Sequence, residues 1–172
     1  MTVQCTKTPA KENYRLGVGL MVINPNKEIL VGKRIDQKAK KETGLHVDSW
    51  QMPQGGIDSK EAPHQAAMRE LKEEIGTDYV RMIAISNFWY SYDFPQELQL
   101  KLWGGRFKGQ CQKWYLLEYL GKDENIKISH SYNPEFSEWK WIAAKELPHL
   151  IVDFKKELYT NVLEEFQGFL DE

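Results

Sequence analysis

The stretch that most constrains the fold is "PQGGIDSKEAPHQAAMRELKEEIG", residues 53–76. It runs from a Gly-Gly loop into a segment whose apolar residues repeat at helical spacing. Pro63 suits the first position of a helix, where its missing N–H would have no partner anyway. Gly76 suits the left-handed turn that follows a last helical residue. The spacing therefore predicts a helix that begins at Pro63 and ends at Gly76. At roughly 100° per residue, Ala67, Met68, Leu71 and Ile75 share one arc, a stripe for the core. Glu70, Glu73 and Glu74 share a second arc. Like charges three and four residues apart destabilise a helix by a few tenths of a kcal/mol, so a chain selected for stability alone would carry a lysine at position 74. The arrangement asks for a cation against that face.

Taken alone, "ELKEE" reads most often as a solvated face. Three features weigh on the other side. Gly55 and Gly56 let the backbone pass close to a ligand and leave carbonyl oxygens free to coordinate. Hard cations such as Mg²⁺ and Mn²⁺ take oxygen ligands, typically a few carboxylates and waters. Arg69 lies eight residues after Glu61, placed to pin that loop acid against the helix.

Around this segment the chain alternates strand and helix patterns. "LGVGLMVI" (16–23) and "EILVGKR" (28–34) read as strands joined by a turn at "NPNK". Residues 36–49 are polar, lysine-rich and aperiodic, a long exposed loop. "VRMIAIS" (80–86), "KWYLLEYL" (113–120) and "EWKWI" (138–142) read as further strands, with the hairpin-like "LWGGRFKGQ" between the first two. In "DFKKELYTNVLEEFQGFL", Leu158, Val162, Phe166 and Phe169 fall at helical spacing. Residues 1–14 read as a flexible polar arm and 15–172 as one domain, an α/β arrangement of a sheet with helices on its faces.

Composition sets the outer limits. A chain of 172 residues with 28% charged and 41% hydrophobic residues is long and apolar enough for a sizeable core. Its net charge of −2 argues against stable non-specific binding to DNA, so a polyanionic partner needs a local basic patch. The apolar run at 16–23 is too short to cross a bilayer, and the first residues show no secretory pattern. Cys5 and Cys111 lack metal-ligand spacing, so free thiols in a reducing cytoplasm are expected. His46, His64, His130 and His149 are scattered without ligand spacing.

Gly55, Glu61, Arg69, Glu70, Leu71, Glu73, Glu74 and Gly76 stand at the spacing of the Nudix box, and on these eight positions the chain resembles the Nudix hydrolase family. Thr77 departs from the aliphatic residue that the pattern prefers, at a packing position. "YRLGVGLMVIN", "WQMPQGGI", "WYSYDFP", "GQCQKWYLL", "NPEFSEWKW" and "DFKKELY" extend the resemblance to the bacterial RNA pyrophosphohydrolase group, also described as (di)nucleoside polyphosphate hydrolases. The segment 36–49 is expanded relative to shorter members, and no site residue is carried over from it.

The resemblance implies a Nudix-type α/β/α sandwich with a mixed central sheet, and hydrolysis of a nucleoside diphosphate joined to another group. It implies Mg²⁺ or Mn²⁺, more than one ion, held by Glu70, Glu73, Glu74, Glu135 and the Gly55 carbonyl. Glu135, in "NPEF", and Glu70 are both candidates to orient or deprotonate the attacking water; without the family, Glu135 would read as a turn-capping acid after Pro134. Arg15, Arg34, Lys113 and Lys155 lie in family-like stretches and are candidates for phosphate contacts. Tyr92 and Phe154 match positions where the family presents aromatics to a base, with core packing as the alternative reading for both.

The expected substrate is a dinucleoside polyphosphate such as diadenosine tetraphosphate, cleaved to ATP and AMP. The second candidate is the triphosphorylated 5′ end of RNA, and one site can serve both. An inactive nucleotide-binding regulator is disfavoured by the intact carboxylates. A sanitiser of oxidised mononucleotides is disfavoured by the flanking segments.

Overall fold

A computed structural model describes residues 2–5, 13–35 and 49–171. At its centre lies β2 (Tyr14–Ile23), paired in parallel along its whole length with β7 (Gly109–Tyr119). The other edge of β2 is shared. β5 (Gln54–Gly56) pairs antiparallel at Gly17–Gly19, and β3 (Ile29–Arg34) at Ile23. β3 carries β4 (Trp50–Gln51) and β8 (Phe136–Ile142), while β7 carries β6 (Val80–Asp93). The result is a mixed eight-stranded sheet.

Local chemistry sets the joints. The turn after β2 is held by Asn24, whose Oδ1 accepts from the Asn26 and Glu28 N–H groups at 3.0 Å each, with Lys27 at φ 62°. Helix α1 (Pro63–Ile75) opens at its proline, with the Gln65 side chain accepting from the Ala62 N–H at 3.0 Å. It closes at Gly76 with φ 75°, as its spacing predicts.

Alternation along the strands builds two cores, one on each face of the sheet. Val18, Leu20 and Val22 of β2 and Tyr115, Leu117 and Tyr119 of β7 pack with Ala67, Leu71 and Ile75 of α1. The intervening Met21, Ile23, Trp114 and Leu116 face Leu158, Tyr159, Val162 and Phe166 of the closing helix, Asp153–Leu170. Two short helices, α2 (Gln96–Gln99) and α3 (Leu147–Leu150), precede this closing helix, which is α4. The architecture is an α/β/α sandwich. Phe169, expected in the apolar stripe, is 41% exposed in the last turn of α4.

Part of the span 1–14, expected as a flexible arm, lies in the sheet. Val3–Cys5 form β1 on the β6 edge at Trp89–Ser91, and Tyr14 already belongs to β2. Edge pairing uses backbone groups, so it leaves no apolar pattern in the sequence to read. Residues 6–12 and the expected loop at 36–48 lie outside the described residues. Cys5 and Cys111 are free, and burial pushes the Cys111 thiol up to about 12. Among the described residues no helix is long and apolar enough to cross a membrane.

Candidate active site

The loop from β5 into α1 is fixed by one guanidinium. Arg69 Nε donates to Glu61 Oε1 and Nη2 to Glu61 Oε2, both at 2.8 Å, and Nη2 also donates to the Gly56 carbonyl at 2.9 Å. Its Nη1 donates to Glu70 Oε1 at 2.7 Å. With the Asp58 N–H as a further donor at 2.9 Å, Arg69 holds the Glu61 carboxyl at about 2. This is the pinning that the Glu61–Arg69 spacing predicts. Gly55 is required by close approach, because a Cβ there would sit 1.9 Å from Glu70 Cδ. The Gly55 carbonyl oxygen lies in turn against Gly17, 2.7 Å from where that residue's Cβ would be.

Glu70, Glu73, Glu74 and Glu135 line one cavity of about 410 Å³ together with Ser131, Tyr132 and Asn133. The carboxylates enter it at different depths. Glu74 is buried and accepts the Gln54 N–H at 3.1 Å. Burial pushes its pKa well above the ordinary carboxylate range, and the charges of Glu135 and Glu70 push the same way, against Gln54 and Arg34. Burial also raises Glu70, with Arg69 opposing it. Glu73 is half exposed, and Glu135 Oε2 lies 3.7 Å from Arg34 Nη2.

This donor set suits a hard divalent cation, being all oxygen, mutually repulsive and only partly neutralised. Among the described residues no three such groups converge closely enough to chelate an ion as they stand. Arg69 Nη1 instead holds Glu70 at 2.7 Å and reaches Glu73 at 3.5 Å.

The residues expected to bind substrate divide differently. Tyr92 is 1% exposed; its hydroxyl donates to Gln110 Oε1 at 2.9 Å, and its ring packs edge-on against Phe94 and 6.2 Å from the half-buried Phe154. It is a core residue here, not an open stacking platform, because α4 lies over it. Lys155 is also buried, donating to Gln51 Oε1 at 3.4 Å with its ammonium 5.7 Å from the Tyr92 ring. Arg34 is buried beside the same Gln51 oxygen at 3.5 Å. Both were expected as candidates for phosphate contacts, and both are buried. Lys113 falls one residue out of phase with Gln112 and Trp114 on β7, so it faces away from Tyr92 and Lys155. It donates to the Asn87 carbonyl at 3.3 Å and lies outside the carboxylate cavity. Arg15 lies over the Trp103 ring at 4.8 Å and fills the space that a Cβ on Gly56 would need.

Sequence reasoning misses a layer of buried glutamines joining these groups. Gln112 Nε2 donates to Gln54 Oε1 and, at 3.0 Å, to Gln110 Oε1, while Gln112 Oε1 is buried without a partner among the described residues. The signal was present in "GQCQKWY": glutamines at alternate positions, in phase with Trp114, on a strand otherwise built for a core.

The NUDIX domain pattern matches residues 13–162. An RNA pyrophosphohydrolase of Rickettsia conorii is 50% identical over 157 residues, covering 91% of this chain and 92% of the relative. That of Rickettsia typhi is 47% identical with the same coverage. Among solved structures, the MutT protein from Methanosarcina mazei Go1 superposes with a TM-score of 0.63 at 16% identity, covering 91% of this chain and 98% of the other. A C. elegans Ap4A hydrolase binary complex gives 0.60 at 20% identity, covering 90% and 98%. At such identities the likeness is one of fold.

Proposed function

The chain belongs to the NUDIX domain family, and on that premise we propose that it removes pyrophosphate from the triphosphorylated 5′ end of RNA. Family membership makes it a hydrolase of pyrophosphate bonds. One observation carries the choice of RNA: relatives named RNA pyrophosphohydrolase match about half of the residues over nine tenths of both chains. That reverses the order of the two substrates expected from sequence. Dinucleoside polyphosphates remain the second reading, supported by the "WYSYDFP" segment, since both substrates present a polyphosphate beside a nucleoside.

A phosphoanhydride resists water because its charge repels nucleophiles, so catalysis needs neutralised charge, an oriented water and a base. Glu70, Glu73, Glu74, Glu135 and the Gly55 carbonyl would hold Mg²⁺ or Mn²⁺, in more than one ion; bound there, the metal offsets phosphate charge and acidifies water. The chain's own residues do the rest. Arg69 and Glu61 lock the loop against α1, which fixes where Gly55 and Glu70 stand. Glu135 takes the water's proton in this reading, because Oε1 of Glu70 is already committed to Arg69. Arg15, Arg34 and Lys155 supply positive charge for the polyphosphate beyond the bond being cut, the last two after rearrangement of the buried glutamine layer. The free thiols fit a reducing compartment, and we place the protein in the cytoplasm.

The test compares kcat/KM for 5′-triphosphorylated RNA and diadenosine tetraphosphate on one preparation. RNA should be preferred by about tenfold or more, about 1.4 kcal/mol of transition-state binding. A reversed preference returns the assignment to dinucleotides. Glu135→Gln should lower kcat while leaving KM nearly unchanged; normal kcat with raised KM would make Glu135 a positioning residue instead.

A further inference from the structure

Among the described residues a second cavity is larger than the one lined by the carboxylates. About 550 Å³ opens beside the loop that joins β5 to α1, walled by Tyr14, Arg15 and Leu16 of β2, by residues 57–61 of that loop and Pro63, and by Trp89, Arg106 and Phe107. It shares no lining residue with the carboxylate cavity. Its size is that of a small-ligand site, and its lining combines two chemistries.

The first is aromatic. Trp89 and Phe107 come from adjoining parts of the β6–β7 hairpin, and Tyr14 from the start of β2. The second is an excess of positive charge. Two acids face the cavity, and both are already engaged. Glu61 is gripped by Arg69 through both oxygens, and Asp58 Oδ2 stands 3.7 Å from Arg69 Nη2. Against them stand Lys60 and Arg106, neither of which pairs with a carboxylate among the described residues. Lys60 and Arg106 are exposed, and Arg106 lies over the Phe107 ring at 5.2 Å. Rings flanked by unneutralised cations favour a planar aromatic group that carries negative charge.

We propose that this cavity binds a nucleotide at a site separate from the carboxylate cavity, with the base against Phe107 and the phosphate on Arg106 and Lys60. The choice of an RNA chain as one source of that nucleotide rests on the function proposed above. The geometry accommodates it, because the loop 57–63 walls this cavity while the helix it enters walls the catalytic one. A free mononucleotide is the other source, with the same chemistry.

Calorimetric titration of the full chain with AMP, with a 5′-monophosphorylated hexaribonucleotide and with inorganic phosphate separates the cases. Arg106→Glu and Phe107→Ala change residues that touch neither the carboxylates nor Arg69, and their melting temperatures confirm folding. Lys60→Glu, on an exposed side chain, serves if Phe107→Ala is destabilised. Each should weaken nucleotide binding by about tenfold or more, and Phe107→Ala should leave the weak binding of phosphate unchanged. Losses for AMP and oligonucleotide alike establish a site for any nucleotide. Loss for the oligonucleotide alone assigns the site to the RNA chain. Wild-type affinities for both ligands in all variants overturn the proposal. Binding that depends on Arg106, in a protein that does not hydrolyse triphosphorylated RNA, would uphold the site and refute the RNA assignment alone.

Discussion

Glu61→Gln tests whether the loop clamp is a structural device of the size that its geometry implies. The carboxylate accepts three hydrogen bonds: Arg69 Nε on one oxygen, and Arg69 Nη2 and the Asp58 N–H on the other. A glutamine has one acceptor oxygen and turns an NH₂ toward a donor, so at least one charge-assisted bond is lost. A carboxyl held at about 2 instead of 4.5 favours the folded anion by at most roughly 3–4 kcal/mol. Solvent reaches the clamp, with Arg69 29% and Asp58 75% exposed, and screening leaves about 1–2 kcal/mol. For a chain of this length that is a fall in Tm of about 2–8 °C.

The sign of the pH dependence follows from a depressed carboxyl. Its contribution is fully present above 4.5 and is lost as pH falls toward about 2. Wild type should therefore exceed Glu61→Gln in Tm throughout the neutral range, and the gap should shrink by roughly half or more by about pH 3. Thermal unfolding followed by circular dichroism across that range reads both quantities, with Asp58→Asn as a control expected to shift little. Catalytic efficiency should fall as well, because Arg69 released from Glu61 can pair more closely with Glu70 and Glu73. Equal melting temperatures at pH 7, or a gap that persists undiminished to pH 3, would show that the clamp contributes nothing as an ion pair.

Glu73→Gln and Glu74→Gln should each lose most turnover while remaining folded. Without divalent ions Glu74→Gln should also melt higher than wild type near neutral pH, since a buried carboxyl with a raised pKa costs stability as an anion; that advantage should vanish once the pH drops below about 4.5, where both states are protonated. Mg²⁺ or Mn²⁺ should raise the Tm of wild type by mass action and leave the two variants largely unmoved; equal shifts in all three would place the ion elsewhere. Tyr92→Ala should cost about 3–5 kcal/mol of stability and impair every substrate alike, as expected of a ring packed between Phe94, Phe154 and Lys155. A loss confined to nucleotide substrates, with the Tm unchanged, would restore it as a stacking residue.

Much of the fold was legible because each segment carried its period and its punctuation. Helix α1 starts at its proline and ends before its glycine, and α4 occupies the span read from the spacing of Leu158, Val162 and Phe166. Five of the eight strands were located, but their ends and partners were not. β6 runs through "FWYSYD" to Asp93 despite register shifts between Met82 and Ala84 and between Ile85 and Trp89. Those bulges break the alternation by which a strand announces itself. β1 was invisible because an edge strand needs only its backbone. Lys113, Lys155, Tyr92 and Arg34 show a second limit: a stretch can be matched by likeness, yet the phase of a strand and the cover of a distant helix decide whether a side chain reaches solvent.

The three helix glutamates show how far angle alone can go. Taking Ala67 as the edge of the apolar stripe, roughly 100° per residue puts Glu74 about 20° away, Glu70 about 60° and Glu73 about 120°. Exposure follows the same order, 4% for Glu74, 14% for Glu70 and 53% for Glu73. So one arc of like charge is in fact a gradient from core to solvent. What the angle cannot supply is the wall opposite. Glu74 tolerates burial because the Gln54 N–H meets it, and Glu70 can lie against the sheet because position 55 has no side chain. Gly55 and the glutamates therefore form one device. The missing side chain at position 55 lets Glu70 lie against the sheet, and that approach sets how costly the carboxylate is as an anion without a cation. On that logic Gly55→Ala acts on the same gradient from the opposite wall: it displaces Glu70 outward, away from the depth at which Glu74 must share any ion that the site binds.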